Sequence, residues 1–310
     1  MDVSRRLSRL SASSGADFVL VLRLEDIRWL TGFTGGTAQL VVQRSTHDAW
    51  LLVDGRYFER AVAETTASHA LVHIERVIAD VTTEEMVGRI VGSSALAVDP
   101  SHLTAQHMTT LQNLCTVHSE KTQLDDLRRV KDVAEIALIA RAATIADIAL
   151  ATVLADGLLG RSEKQIRNQL DHLMREGGAD DVAFETIVAT GPNGARPHHE
   201  PSDAIVEGGH GVVIDFGAMV DGYKSDMTRT IRVGDVSGEY QRMFELVLEA
   251  ETAGIASVKA GVIGAAVDAA TRAVFIREGV DHEYVHGTGH GIGLYIHEQP
   301  ILSPRCTAVL

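Results

Sequence analysis

Cysteine is scarce in this sequence, with Cys115 and Cys306 the only two among 310 residues. Two thiols in so long a chain build neither a disulfide framework nor a thiolate metal cage, which fits a reducing compartment. Basic residues are also short, 28 Lys and Arg against 42 Asp and Glu, for a formal net charge of −14. The average field therefore repels duplex nucleic acid and anionic membrane surfaces, and neither is expected as a partner. Uninterrupted apolar runs are missing as well. The N-terminal stretch MDVSRRLSRLSASSGADF has no apolar core for a signal peptide. The most apolar long segment, residues 135–160, carries Glu135, Arg141, Asp147 and Asp156, too many charges for a membrane span. A cytoplasmic protein is expected.

What is present suffices for large cores. Apolar residues make up 45% and charged residues 23%, the balance of a folded soluble protein, and the length suits two domains. Between residues 16 and 116 the apolar runs Phe18 to Leu22, Leu40 to Val42, Trp50 to Val53 and Leu96 to Val98 predict strands alternating with helices, a small α/β layer domain. Beyond His118 to Asp126 the pattern changes. Ile136, Ile139, Ala143, Ala146, Leu150 and Val153 recur at steps of three and four, one apolar stripe on a long helix. This places the domains at 1–125 and 126–310.

The second domain reads as a duplication in the order of its elements. Its first half has the long helix, then a helix over 163–176 introduced by Ser162 and Gln165 in a capping-box pattern and stopped by Gly177 and Gly178. Strands are expected at Phe184 to Ala189, Val212 to Ala218 and Tyr223 to Val233. The second half has helices over 239–259, with Tyr240, Phe244, Val247, Ile255 and Val258 on one side, and over 265–278, then a strand near Tyr284 and Val285. If the halves correspond, a hairpin equivalent to residues 212–233 should follow, so the domain is expected to lack its last strands.

Three places can carry chemistry. Asp221-Gly222 between apolar runs is a two-residue hairpin signal that pairs residue 220 with 223. That register puts Asp215 opposite Thr228 and Asp226 opposite Gly217, so the two aspartates are diagonal neighbours on one face, roughly 7 Å apart by Cβ. Aspartates in a hairpin ordinarily face solvent, but Val212, Val213, Ile214 and Phe216 beside them form a run typical of covered strands, where carboxylates need partners or a cation between them.

The second place, VHGTGHGIGLYIHEQP, sets His286, His290 and His297 within twelve residues among four glycines. It contains no G-x-G-x-x-G and no H-E-x-x-H, which disfavours a dinucleotide cradle and a zincin helix. One histidine on a core face is ordinarily a hydrogen-bonded structural residue; three with such glycine spacing point to a wall that backbone and substrate approach closely. The third place is the loop PNGARPHHE, where His198 and His199 are either surface residues of a turn or part of a site.

Together LRRVKDVAEI, FETIVATGPNGARPHH, VVIDFGAMVDGYKSDMTRT and HGTGHGIGLYIHEQP resemble the metal-dependent Xaa-Pro peptidases of the pita-bread fold, aminopeptidase P and prolidase. The likeness spans residues 127–300, and LTGFTGGTAQLVV with LLVDGRY resembles that family's N-terminal domain. The resemblance implies a creatinase/prolidase-like α/β domain followed by a pita-bread domain of duplicated ααβ units. It implies two divalent ions, Mn²⁺, Co²⁺, Zn²⁺ or Fe²⁺, held in part by Asp215, Asp226 and His290, with proline-containing peptides as substrates and a homodimer as the assembly. His198 and His297 fall on catalytic positions that stabilise the tetrahedral intermediate, and His286, His297 and His198 on substrate-binding ones.

The family pattern also has two glutamate ligands on closing strands after the HExP segment; Glu298 is not one of them, and the chain is expected to be inactive without them. Ile301 stands where some prolidases carry Arg after the HExP proline, which leans toward an aminopeptidase P-like enzyme. Rival readings are a catalytically inactive pita-bread binding protein, a methionine aminopeptidase and a metal-free creatinase-like hydrolase. The presence of Asp215, Asp226 and His290 argues against the first and third, and the N-terminal domain with its PHH loop against the second.

Overall fold

The computed structural model describes residues 3–10 and 15–310; of the N-terminal stretch read above, residues 1–2 and 11–14 lie outside them. The chain divides into two compact units, residues 1–130 and 131–310.

The first unit is built on a six-stranded sheet in the order β4-β3-β2-β1-β5-β6. Its strands are β1 (Phe18–Val21), β2 (Gln39–Gln43), β3 (Ala49–Asp54), β4 (His73–Val77), β5 (Ala95–Val98) and β6 (Thr116–Ser119). The first three pair antiparallel, and the outer partners β4, β5 and β6 join in parallel. Helices α1 (Leu24–Thr31), α2 (Phe58–Ala67), α3 (Thr83–Val91), α4 (Ala105–Leu114) and α5 (Leu124–Arg129) connect and flank them. All four residues of β1 are buried, as a strand covered on both faces requires of the run FVLV. The edge strands β4 and β6 are largely exposed and polar, so apolar runs in the sequence predict only the four inner strands.

In the second unit α6 (Val133–Ala155) and α7 (Glu163–Glu176) pack over β7 (Asp181–Val182), β8 (Ile187–Thr190), β9 (His210–Phe216), β10 (Ala218–Val220), β11 (Tyr223–Lys224) and β12 (Met227–Val233). Ala142, Ala146 and Val153 of α6, Ile166 and Leu170 of α7, and Val212, Ile214 and Phe216 of β9 form the centre of this core. Then come α8 (Gly238–Ser257), α9 (Gly264–Arg277) and the antiparallel pair β13 (Gly289–Gly291) and β14 (Glu298–Leu302), with a smaller core of Leu246, Ala250, Val274 and Phe275. Two long helices followed by strands thus occur twice.

The capping box at Ser162 and Gln165 starts α7 where the sequence predicts it. In α6 the buried face runs through Glu135, Ala142, Ile145, Ala146, Ala149, Leu150 and Val153; the expected Ala146, Leu150 and Val153 lie on it, Ile139 and Ala143 flank it half-buried, and of the expected stripe only Ile136, 55% exposed, lies off it. The helix is apolar nearly all round. It is long and apolar enough to cross a membrane by length and composition, yet its buried face packs on β10, β11 and α7. In α8 the buried residues are Leu246, Ala250 and Gly254, which face α9, while Val247, Ile255 and Val258 are exposed. Tyr284 and Val285 are not a strand. Arg272 donates to the carbonyls of Tyr284 and His286 at 2.9 and 3.0 Å, so a side chain rather than a sheet ladder holds this backbone.

Candidate metal centre

The hairpin keeps the register that its turn dictates. Asp221 and Gly222 have φ of 46° and 75°, the doubly positive turn that Asp-Gly favours, and Val220 pairs with Tyr223 while Asp215 pairs with Thr228. Between these pairs the ladder changes sheets at Gly217. Ser225 Oγ accepts from the Ala218 amide at 3.0 Å, and a Cβ on Gly217 would stand 2.0 Å from the Ser225 carbonyl oxygen. Glycine there lets the strands close up just where Asp226 follows.

Asp215 Oδ1 accepts a hydrogen bond from Thr228 Oγ1 at 2.8 Å. Burial pushes its carboxyl up from the ordinary range, and the Thr228 hydroxyl with His198, His290 and His297 pulls it partly back. Burial also raises Asp226, the negative charge of Asp215 raises it further, and His290 and His297 oppose both. The two carboxylates therefore feel each other and share two imidazoles.

The Lys224 amide donates to the Gly293 carbonyl at 3.0 Å, which ties the hairpin to the glycine-rich segment of the second half. His290 Nε2 consequently lies 3.5 Å from Asp226 Oδ2, and the His290 and His297 rings meet edge to face at 4.4 Å. His290 Nδ1 is 3.0 Å from the Gly291 carbonyl. With the ring neutral, Nδ1 donates there and the Nε2 lone pair faces the Asp226 oxygen, two acceptors that attract a cation between them.

His198 is exposed and near enough to Asp215 to act on its charge, whereas its neighbour His199 is buried. His286 stands apart: it is exposed, edge-on to Tyr284 at 4.9 Å, with Nδ1 at 2.8 Å from the Gly287 carbonyl. Among the described residues no interaction joins it to either aspartate. Nor do three His, Cys, Asp or Glu side chains there close into a ready cage. Two carboxylates and an imidazole are nonetheless a hard, oxygen-rich donor set suited to a divalent cation.

Two of this unit's buried acids are Glu298, read in the sequence only as part of the HExP segment and not as a ligand, and Glu163, which sequence reasoning does not single out. Glu298 accepts from Lys131 Nζ at 2.9 Å and from the Tyr295 amide at 3.1 Å, under a Gly293 whose Cβ would press on the carboxylate. Glu163 lies on the first turn of α7, where an acid is ordinary and gives no signal.

The duplicated α/β unit, with carboxylates on a hairpin and imidazoles on a glycine-rich segment, has the pita-bread architecture, and comparison with known proteins agrees. Residues 137–310 match the model of metallopeptidase family M24, and residues 4–130 that of the creatinase/prolidase N-terminal domain. The uncharacterized peptidase YqhT of Bacillus subtilis is 33% identical over 309 residues, 98% of this chain and 86% of that protein. A putative Xaa-Pro aminopeptidase of Mycoplasma pneumoniae is 34% identical over 310 residues, 98% of this chain and 84% of its own. The solved Xaa-Pro dipeptidase from Bacillus anthracis superposes with a TM-score of 0.89 at 32% identity, covering 96% of this chain and 82% of that one. The chain belongs to metallopeptidase family M24.

Proposed function

We propose that this protein is a metal-dependent exopeptidase that removes the N-terminal residue from peptides with proline in second place. The approach of His290 Nε2 to Asp226 Oδ2 at 3.5 Å, across the two halves of the second unit, carries the reading. Asp215, Asp226 and His290 would hold a divalent cation, which supplies Lewis acidity toward a scissile carbonyl when bound. The Thr228 hydroxyl keeps Asp215 in place, and the Gly291 carbonyl turns the His290 ring so that Nε2 faces the carboxylate. His198 and His297, both exposed beside these groups, are proposed to donate hydrogen bonds to the carbonyl oxygen as charge develops on it, and His286 to contact the peptide farther out.

A peptide bond to proline has no N–H on its leaving nitrogen, so recognition must come from the shape of the ring's pocket. Relatives bearing both aminopeptidase and dipeptidase names support the Xaa-Pro class, and Ile301 in place of a carboxylate-binding Arg favours the longer substrates of an aminopeptidase. The inactive binding protein is the second reading, disfavoured by Asp215, Asp226 and His290. A cytoplasmic location suits two free thiols, Cys115 and Cys306. A homodimer is proposed on the family likeness alone.

Calorimetric titration with Mn²⁺ and an assay of residue release from Xaa-Pro and Xaa-Ala peptides test this reading. Asp226→Ala should weaken Mn²⁺ binding at least about tenfold. Affinity unchanged by Asp226→Ala, Asp215→Asn and His290→Ala together would remove the metal centre, and release of internal fragments would remove the exopeptidase.

A further inference from the structure

The Glu163 side chain is 0% exposed and accepts hydrogen bonds from donors that all belong to residues 190–202. Oε1 takes the Thr190 amide at 2.8 Å and Asn193 Nδ2 at 2.9 Å. Oε2 takes the Ser202 amide at 2.8 Å and its hydroxyl at 2.7 Å, and lies 2.8 Å from His199 Nε2. These residues begin at the end of β8, run through a short 3-10 turn at Gly191–Ala195, and carry His198.

Helix capping does not require this arrangement. Ser162 and Gln165 already satisfy the first turn of α7 reciprocally, and an acid at that position would gain as much from the helix dipole if it pointed into water. A buried carboxylate with five donors is instead the hub of a loop that has little ladder of its own. The backbone repeats the attachment, since the Lys164 amide donates to the Ser202 carbonyl at 3.2 Å and the Glu163 amide to the Ala204 carbonyl at 3.1 Å.

His199 is thereby locked inward and its neighbour His198 is left exposed on the side of Asp215. We propose that Glu163 is a positioning residue that fixes the Thr190–Ser202 segment so that His198 meets the substrate. The proposal rests on the reading of His198 as a substrate contact. A carboxylate is required for this, because an amide of the same shape turns two of its own donors toward donors on the loop.

Hydrogen exchange on the whole 310-residue chain tests the anchor without reference to activity. Glu163→Gln should speed exchange of the amides in 190–202 about tenfold or more, with α8 and α9 unchanged and Glu163→Asp intermediate. If Glu163→Gln does not fold, Asn193→Ala and Ser202→Ala each remove side-chain donation to this acid and should speed the same amides about fivefold. Unchanged exchange in the segment, or a uniform rise through the unit, overturns the anchor.

The second measurement is binding of an Ala-Pro-Ala peptide in the presence of Mn²⁺. Glu163→Gln and His198→Ala should each weaken binding, and the double variant should lose no more than His198→Ala alone. Additive losses overturn the positioning role. Binding indifferent to His198→Ala overturns the substrate-contact reading and with it the role of Glu163 toward peptide, while the exchange result separately decides whether the anchor exists.

Discussion

Acidification probes the Glu163 hub in a way that can be worked out in advance. Burial alone would raise this carboxyl; the hydrogen bonds from His199, Ser202, the Thr190 amide and Asn193 outweigh it and hold it at about 2 instead of 4.5. A carboxyl whose pKa is lower in the folded state contributes stability that is present above the unfolded value and is lost as pH falls through the folded one. The window runs from about pH 4.5 down to about pH 2. Linkage gives a contribution of about 3 kcal/mol at pH 5 and roughly half of that at pH 3.

The measurement is the difference in unfolding free energy between the protein and Glu163→Gln, taken between pH 5 and pH 3, below the range where imidazoles ordinarily titrate. Carboxyls elsewhere titrate in both proteins and cancel. Trp29 and Trp50 both lie in the first unit, so tryptophan fluorescence follows that unit alone and hydrogen exchange in α7 must follow the second. The difference read from α7 should shrink by about 2 kcal/mol while the tryptophan transition is the same in both proteins. A difference independent of pH would refute the hub as a charged, depressed carboxylate.

Three further substitutions have defined outcomes. Gly217→Ala drives a Cβ against the Ser225 carbonyl oxygen at 2.0 Å and should cost about 2 kcal/mol or more while weakening Mn²⁺ binding through displacement of Asp226; a thermal scan and the titration read the two effects. Asp268→Asn weakens the fork between Asp268 and Arg272, at 3.0 and 3.3 Å, and should speed exchange of the amides in 284–288 with a loss of about 2 kcal/mol in the second unit. Arg44→Met removes the buried guanidinium that bonds both oxygens of the half-buried Glu120, at 2.7 and 3.2 Å, and should lower the tryptophan-detected stability by about 2 kcal/mol, with recovery in Arg44→Met/Glu120→Leu.

Legibility in the sequence followed the range of the interaction. The Asp221-Gly222 turn sets a register by local backbone preference, and that register alone puts Asp215 opposite Thr228 and Asp226 beside it. Ser162 and Gln165 likewise mark the start of α7 through contacts three residues apart. The face of α8 was not legible, because that helix carries apolar residues on more than one side and the choice is made by what packs against it, whereas the α6 stripe departs only at its exposed first residue, Ile136. The run at Tyr284 and Val285 resembles a strand by composition, but Arg272 from the preceding helix takes the Tyr284 and His286 carbonyls. Glu163 gave no signal at all, one acid among 42 acidic residues until folding surrounds it with donors, and Glu298 stood out only as the acid of the HExP segment, with nothing to show its pairing with Lys131.

The duplication has a physical consequence for the histidine segments. In the first half a buried acid on the second helix, Glu163, binds the loop donors directly; in the second half the buried Asp268 binds Thr288 Oγ1 at 3.0 Å and orients Arg272, which takes the Tyr284 and His286 carbonyls. Both halves therefore hold most of a histidine-bearing segment from a helix beneath it, with sheet pairing only at one end of each, where Thr190 pairs with Val212 and the Thr288 amide donates to the Leu302 carbonyl at 2.8 Å. Strand pairing would align these segments with the ladder and turn alternate side chains away from the pocket. In the first half the anchor itself buries His199 against Glu163 and leaves its neighbour His198 exposed. The order of each segment should accordingly rise and fall with the helix that holds it, α7 for residues 190–202 and α9 for residues 284–288, even where the strands beside them stay intact.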